Sequence, residues 1–384
     1  MILAKRHQLS RRSAVLGLAS HGLASLGLAS LAIGSPLVLR SRSARADFDL
    51  ELAPPLRSHL RTSGIRYGCA GAAPNVQPDR ILLEKFATEA NIFVPETSLK
   101  WDQTEPRPGE FNFTEGDSIA AFAARNDMVV HGHTLVWYAA IPPWVSQIST
   151  SQEANAALER HITTQVSRYR GKIWAWDVVN EAIEPEDRLD NGLRNSVWLH
   201  SLGADYIDLA FRLARTADPA APLCLSEYGI EYATASSQRR RDALLALLQK
   251  LRDRNTPIDC LALQSHLEAH QILDHRELTV FLRSVVKLGY RLLITEMDVN
   301  DVKVRGSEPE RDLAVARHTA EFLDIVFSVA PPLSIATWGL SDRYTWLHQY
   351  YKRWDGTPLR PLPLDAGLNR KPMWTSLAKY IAAQ

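Results

Sequence analysis

One alternation recurs eight times between residues 66 and 383: a short apolar run of strand character, then a stretch with apolar residues at helical spacing. The runs fall at 66–70, 92–95, 128–134, 173–179, 222–228, 258–264, 291–296 and 333–338. The helical stretches fall at 79–90, 116–126, 152–169, 196–217, 236–254, 276–288, 309–329 and 373–383. The clearest is 236–254, where Ala243-Leu-Leu-Ala-Leu-Leu248 lies between two basic groups. Strict strand–helix alternation needs a parallel sheet with crossover helices. Eight repeats predict an α/β chain folded as a single-domain (β/α)8 TIM barrel over residues 47–384. An open doubly wound sheet is the alternative. It would call for a phosphate-binding glycine turn, and the sequence has no G-x-G-x-x-G or P-loop. Residues 47–63 read as an amphipathic lead-in, with Leu50, Leu52, Leu56 and Leu60 at helical spacing.

The first 46 residues follow a different logic. They hold seven of the 44 basic residues and no acid, so the remainder carries 37 basic against 43 acidic residues, a net of −6. A nucleic-acid partner needs a basic face, and this balance excludes one. Ser10-Arg-Arg-Ser-Ala-Val-Leu16 resembles a twin-arginine export signal. A moderately apolar stretch follows, and Ser43-Ala44-Arg45-Ala46 offers a small-residue cleavage site before Asp47. Export to the periplasm or medium is expected, with no stable membrane association after cleavage. An uncleaved anchor is the alternative, since the apolar length could span a bilayer. Cys69, Cys224 and Cys260 have no metal spacing, and each sits in an apolar run, the pattern of buried small hydrophobes. Cys224 and Cys260 could lie on neighbouring strands, which leaves one bridge open.

In such a barrel the chemistry sits at the C-terminal ends of the strands. Polar residues collect there. Glu96 follows the second run, and His131 and His133 end the third. Asn180 and Glu181 end the fourth, and Glu227 and Tyr228 the fifth. Gln264 and His266 end the sixth, Glu296 and Asp298 the seventh, and Trp338 the eighth. The fourth and seventh strands face each other across the mouth, which opposes Glu181 to Glu296. Two opposed carboxyls are what glycoside hydrolysis needs: one protonates the leaving oxygen and the other meets the oxocarbenium-like carbon. A separation of about 5–5.5 Å would give retention and about 6.5–9.5 Å inversion. His266 can bond Glu296 and Asp298, keeping Glu296 ionised as nucleophile and leaving Glu181 as acid/base. Asn180 can bond a sugar 2-hydroxyl. Trp101, Trp137, Trp144, Trp338 and Trp346 follow strand ends and suit sugar stacking, against core packing as the commoner fate of tryptophan. Trp198 and Trp374, on helical stretches, belong to the core. The histidine pairs 131/133 and 266/270 leave a zinc or manganese hydrolase as an alternative. The acid pair needs no metal, and no cofactor is expected.

These segments together resemble glycoside hydrolase family 10, the endo-β-1,4-xylanases. The matching pieces are Val94-Pro-Glu-Thr-Ser-Leu-Lys-Trp101, Glu105-Pro106, Phe111-Asn-Phe113, Gly132-His-Thr-Leu-Val-Trp137, Pro143-Trp-Val145, Trp176-Asp-Val-Val-Asn-Glu181, Gln264-Ser-His266, Ile294-Thr-Glu-Met-Asp298, and Thr337-Trp338 through Trp346. The resemblance implies a retaining enzyme acting on a xylan-like β-1,4-linked polysaccharide; a monomer is a separate expectation. It implies Glu181 as acid/base and Glu296 as nucleophile. Glu96 and Lys100 would meet the glycone side. His133, Trp137, Asn180, Gln264, His266, Trp338 and Trp346 would shape the subsite at the cleaved bond, and Tyr228 would lie on the aglycone side. Four positions depart from the family pattern. Thr97 and Tyr138 stand where Asn and His are usual, and Ser226 and Gly229 replace asparagines. The same chemistry on another β-linked polysaccharide is therefore a second expectation, and a catalytically silent carbohydrate-binding barrel a third.

Overall fold

In the computed structural model, which describes residue 50, residues 52–189 and residues 191–382, all eight apolar runs are strands of one parallel sheet. They are β1 (Arg66–Gly71), β2 (Ile92–Pro95), β3 (Val129–Gly132), β4 (Ile173–Asn180), β5 (Leu223–Glu227), β6 (Cys260–Leu263), β8 (Arg291–Asn300) and β9 (Ser334–Thr337). Each pairs with its sequence neighbour, β6 pairs with β8, and β9 pairs back onto β1, so the sheet closes. A short β7 (His266–Glu268) prolongs the sixth strand after a kink at Ser265, where φ is 61°, and pairs His266 with Asp298 on β8. The expected (β/α)8 barrel is thus the fold. The export signal expected for residues 1–46 lies outside the described residues.

Helices α1 (Arg80–Glu89), α2 (Thr114–Arg125), α3 (Ser151–Arg168), α4 (Val197–Leu202), α5 (Asp205–Ala217), α6 (Ala235–Asp253), α7 (His275–Lys287), α8 (Glu308–Phe327) and α9 (Pro372–Ala382) surround the strands. Their starts are written in the sequence. Thr150 and Glu153 close a capping box on α3, and Asp274 accepts from the Glu277 amide to cap α7. The inward face of α7 is Leu278, Phe281, Leu282 and Val285, an i, i+3, i+4, i+7 stripe. Two expectations are corrected. The stretch 196–217 is two helices, because Gly203 takes a left-handed φ of 65° at the end of α4. The lead-in is no continuous helix. Residues 50 and 52 are helical, but Pro54-Pro55 cannot be helix interior, so the chain breaks there and a new turn starts at Leu56, with Leu52 left exposed.

Alternation divides the apolar residues into two layers. Ala70, Ile92, Val94, Ala336 and Trp338 pack as one group, and Ala175, Cys224, Cys260, Ala262 and Leu293 as another, both inside the barrel. The interleaved residues Phe93, Trp176, Leu225, Leu261 and Ile294 belong to the larger layer under the helices. Gly132 shows how closely these strands approach, since a Cβ there would lie 2.2 Å from the Trp176 ring. Cys224 and Cys260 are register partners on β5 and β6, and all three cysteines are buried and unbridged. Among the described residues no helix is long and apolar enough to cross a membrane.

Glu89, at the end of α1, ties the two ends of the barrel domain together. Its carboxylate accepts from the Leu56 amide (3.2 Å), the Trp374 indole (3.1 Å) and the Arg370 guanidinium (2.6 and 2.8 Å). Arg370 also stacks on Trp374 at 4.0 Å.

Candidate active site

The C-terminal ends of the strands surround a cleft of about 490 Å³. Eleven of the residues expected there line it: Glu96, Lys100, His133, Trp137, Asn180, Glu181, Gln264, His266, Glu296, Trp338 and Trp346. Asp298 stands behind them, fully buried, with one oxygen on His266 Nδ1 (3.1 Å) and the other on the Trp346 indole (2.7 Å). Tyr228 is not on this lining. Its hydroxyl lies between Arg194 (3.0 Å) and Glu184 (3.3 Å), and Arg240 covers its ring at 4.4 Å.

The two central acids are held in the same manner but by different chemistry. Glu296 accepts from His266 Nε2 at 3.2 Å through Oε2, while Oε1 takes no hydrogen bond among the described residues. Burial alone would lower the His266 pKa. Asp298 and Glu296 outweigh it and push it up to about 10, so the ring is an imidazolium donating from both nitrogens at neutral pH. Glu181 accepts through Oε1 from two uncharged amides, Gln264 (3.3 Å) and Asn180 (3.4 Å). Its Oε2 takes no hydrogen bond among the described residues and lies 3.7 Å from Arg194 Nη2. Each carboxyl therefore has one tethered oxygen and one available oxygen. Glu181 also has a φ of 56°, a left-handed conformation that costs a non-glycine residue on the order of 1 kcal/mol or more. It follows from the chain leaving β4: the Glu181 amide still donates to Ser226 O on β5 (2.9 Å), and the backbone then turns away.

Charged and aromatic walls complete the cleft. Lys100 Nζ sits 4.8 Å from the Trp137 ring and 5.9 Å from that of Trp338. Burial raises the Glu96 pKa, against the pull of Lys100 and His133. Trp338 meets His133 and His266 edge-on at 5.1 and 6.0 Å. Beneath the wall, Asp177 on β4 accepts from His133 Nδ1 at 3.0 Å, and His131 Nε2 stands equally close. Burial would raise the Asp177 pKa, but the two imidazoles outweigh it and hold the carboxyl well below the usual range. Burial pushes Glu227 up to about 8, against Arg240 and the Ile183 amide.

Two of the five strand-end tryptophans belong to the core. Trp101 is buried, sandwiched by His161 (3.7 Å) and Trp198 (4.9 Å), and donates to Glu105 Oε2. Trp144 donates to Glu105 O. The Trp198 indole donates to Trp137 O at 3.0 Å, so this stack supports the cleft wall from below. Trp198 and Trp374 are buried, as expected. Of the four departures from the family pattern, Thr97 and Tyr138 line the cleft. Ser226 is wholly buried, and Gly229 fits a left-handed turn at φ 72°. The sequence reading passed over Asn75, Gln349 and Tyr350, which also line the cleft, and over Arg194.

Of the histidine pairs raised as metal ligands, His131 and His133 converge on Asp177, while His266 and His270 take different partners. His270 pairs with Glu268 and Lys303. His133, Asp177 and Glu296 do bring donor atoms within 4.8 Å of one another, yet His133 Nδ1 is committed to Asp177. At the opposite end of the barrel lies a hollow of about 470 Å³ bordered by Arg215, Arg252 and Arg291, remote from both acids.

A family model described as Glycosyl hydrolase family 10 matches residues 55–380. Endo-1,4-beta-xylanase 1 of Humicola insolens is 34% identical over 311 residues, which span 80% of this chain and 68% of that protein. Endo-1,4-beta-xylanase B of Thermotoga neapolitana is 32% identical over 78% of this chain and 83% of its own length. Among solved structures, native xylanase 10B from Thermotoga maritima has a TM-score of 0.75 at 32% identity, covering 86% of this chain and 98% of that one. Xylanase 10B from Thermotoga petrophila RKU-1, in complex with xylobiose, gives 0.76 at 31% identity over 86% and 97%. The match takes in every strand of the barrel and both opposed acids, and on that ground the chain belongs to glycosyl hydrolase family 10.

Proposed function

We propose that the protein is an exported, retaining endo-β-1,4-xylanase working by double displacement. The observation that carries this reading is the unequal treatment of two carboxyls in one cleft. Glu296 accepts from an imidazolium, while Glu181 accepts from neutral amides, with Arg194 3.7 Å from its other oxygen. In the first step Glu296 attacks the anomeric carbon. The glycosidic C–O bond breaks as Glu181 gives its proton to the leaving oxygen, and an ester to Glu296 remains. In the second step water gives a proton to Glu181 and attacks the same carbon, releasing Glu296. Lys100, Glu96 and Asn180 would bond sugar hydroxyls, and Trp137, Trp338 and Trp346 would pack against sugar faces. The activities named for the relatives above support xylan as the substrate class.

Proton NMR of fresh xylo-oligosaccharide digests tests the mechanism. The β-anomer should appear first and mutarotate afterwards; the α-anomer appearing first would sink double displacement. For export, the protein recovered from periplasm or medium should begin at Asp47. A mature chain retaining residues 1–46 would instead support the anchor.

A second reading keeps the chemistry and changes the sugar. Thr97 and Tyr138, which depart from the family pattern, are the two of the four that line the cleft. Release of reducing sugar from mixed-linkage glucan or cellulose with none from any xylan would decide for it. Binding of xylan without any turnover would decide for a silent barrel.

A further inference from the structure

Arg194 lies in the loop after β4 and is 5% exposed. Its backbone amide donates to Ala182 O (2.7 Å), and its Nε donates to Glu181 O (2.7 Å). Its Nη2 donates to the Tyr228 hydroxyl at 3.0 Å, and Nη1 pairs with Glu184 at 3.4 Å. The guanidinium plane lies over the Tyr138 ring at 4.1 Å. One side chain thus grips the Glu181 peptide from the loop side, while Ser226 O holds the Glu181 amide from the strand side.

Glu181 sits at a φ of 56°, and such a conformation persists only where the surroundings over-determine it. Among the described residues the Glu181 carboxyl accepts hydrogen bonds only through the 3.3 and 3.4 Å amide contacts, and Arg194 Nη2 stands 3.7 Å from its other oxygen. Its aim therefore depends on the backbone, and the backbone depends on Arg194. The planar fork is essential to this grip. A lysine would keep the charge yet lose the Nε donation and the stacked face. Tyr138 supplies that face.

We infer that Arg194, stacked on Tyr138, is a positioning residue that fixes the left-handed turn at Glu181 and so aims its carboxyl at the leaving oxygen. The inference rests on Glu181 being the general acid. It makes Tyr138 part of the acid's support in addition to a wall of the cleft. Arg194 touches no substrate in this arrangement, so its loss should act on proton transfer and leave substrate affinity largely intact.

The test compares aryl β-xylobiosides with a poor leaving group (phenyl) and an activated one (2,4-dinitrophenyl), under single-turnover conditions. Glu181→Ala is the control and should slow phenyl release by about 10²–10⁴-fold, with little change for dinitrophenyl. If it does not, the assignment of the acid fails, whatever Arg194 does. With that control in place, Arg194→Gln and Arg194→Lys should each slow phenyl release by about tenfold and dinitrophenyl release by less than about threefold, with KM little changed. Equal slowing of both substrates, or no slowing, overturns the inference. So does a wild-type ratio in Arg194→Lys, which would mean that charge alone suffices. Tyr138→Leu removes the stacked face, leaves Arg194 itself in place, and serves if the arginine variants do not fold. Its phenyl-to-dinitrophenyl ratio should fall in the same direction, and Tyr138→Phe should restore it. A wild-type ratio in Tyr138→Leu also overturns the clamp.

Discussion

His266 Nε2 lies 3.2 Å from Glu296 Oε2, and the other ring nitrogen rests on Asp298 at 3.1 Å. This imidazolium between two carboxylates is the principal electrostatic device of the cleft. A cation there balances the negative charge of Glu296 and Asp298, so His266→Asn should lower kcat on xylo-oligosaccharides by about tenfold or more at neutral pH. An unchanged kcat would remove the histidine from that role.

The same ring also makes a stability prediction. Its pKa is about 10 in the fold against about 6.5 in an unfolded chain. A raised pKa contributes stability fully below the unfolded value, and the contribution is lost as pH rises through the folded one. Denaturant unfolding of the wild type and His266→Asn should differ by a constant amount, on the order of a few kcal/mol, below about pH 6.5. The gap should close toward pH 10. A gap that widens over that range would refute the ion pairing.

Asp177 works in the opposite direction. Its pKa is depressed by His131 and His133, so it stabilises the fold above the ordinary carboxylate range, and that contribution is lost only as pH falls. Asp177→Asn leaves His133 without its charged acceptor in a buried place. The expected loss is about 3–5 kcal/mol, with acid unfolding starting from a flatter baseline. Thermal unfolding at pH 7, and again well below about pH 4 where an ordinary aspartate is protonated, checks both parts.

Trp198 is predicted to act at a distance. It is buried against Trp101 and donates to Trp137 O, so Trp198→Ala should cost about 3–5 kcal/mol of stability. It should also raise KM for xylotetraose by loosening the Trp137 wall. Trp198→Phe keeps most of the packing and removes the indole N–H, and a KM unchanged in that variant would disconnect the hydrogen bond from substrate binding.

The acid pair gives the plainest measurement. Glu296→Ala should abolish turnover on all glycosides, and added azide should not restore the β-linked product. In Glu181→Ala, azide should accelerate turnover of dinitrophenyl xylobioside and yield a β-glycosyl azide, because the ester to Glu296 can still form. An α-azide from Glu181→Ala would reverse the two roles.

The barrel was legible because each strand is a short, mostly apolar run and each helix has its own period. The misreadings came from punctuation. Gly203 and Pro54-Pro55 are ordinary loop signals, yet both fell inside stretches whose leucine spacing looked continuous. At the site, an acid or histidine placed just after an apolar run was a sufficient signal for Glu181, Glu296 and His266. It could not separate Trp101 from Trp137, since both follow strands and only the fold decides which indole turns inward. Asp177 was passed over, although a charge inside an apolar run demands a buried partner. Arg194 carried no such mark. It lies in a loop without periodicity, and its partners come from residues 138, 181, 184 and 228, which only the closed barrel brings together.

Glu89 bears on the timing of synthesis. Its partners Leu56 and Arg370 stand at opposite ends of the chain, the latter 281 residues downstream of the carboxylate. On the ribosome, Glu89 emerges long before Arg370 and Trp374 exist, and β1 waits equally long for β9. The last strand pair can close once β9 is made, and this buried carboxylate is satisfied only when Arg370 and Trp374 follow. Until then the nascent chain presents an open sheet edge beside an unmet acid, and this is the interval in which it most needs protection from aggregation.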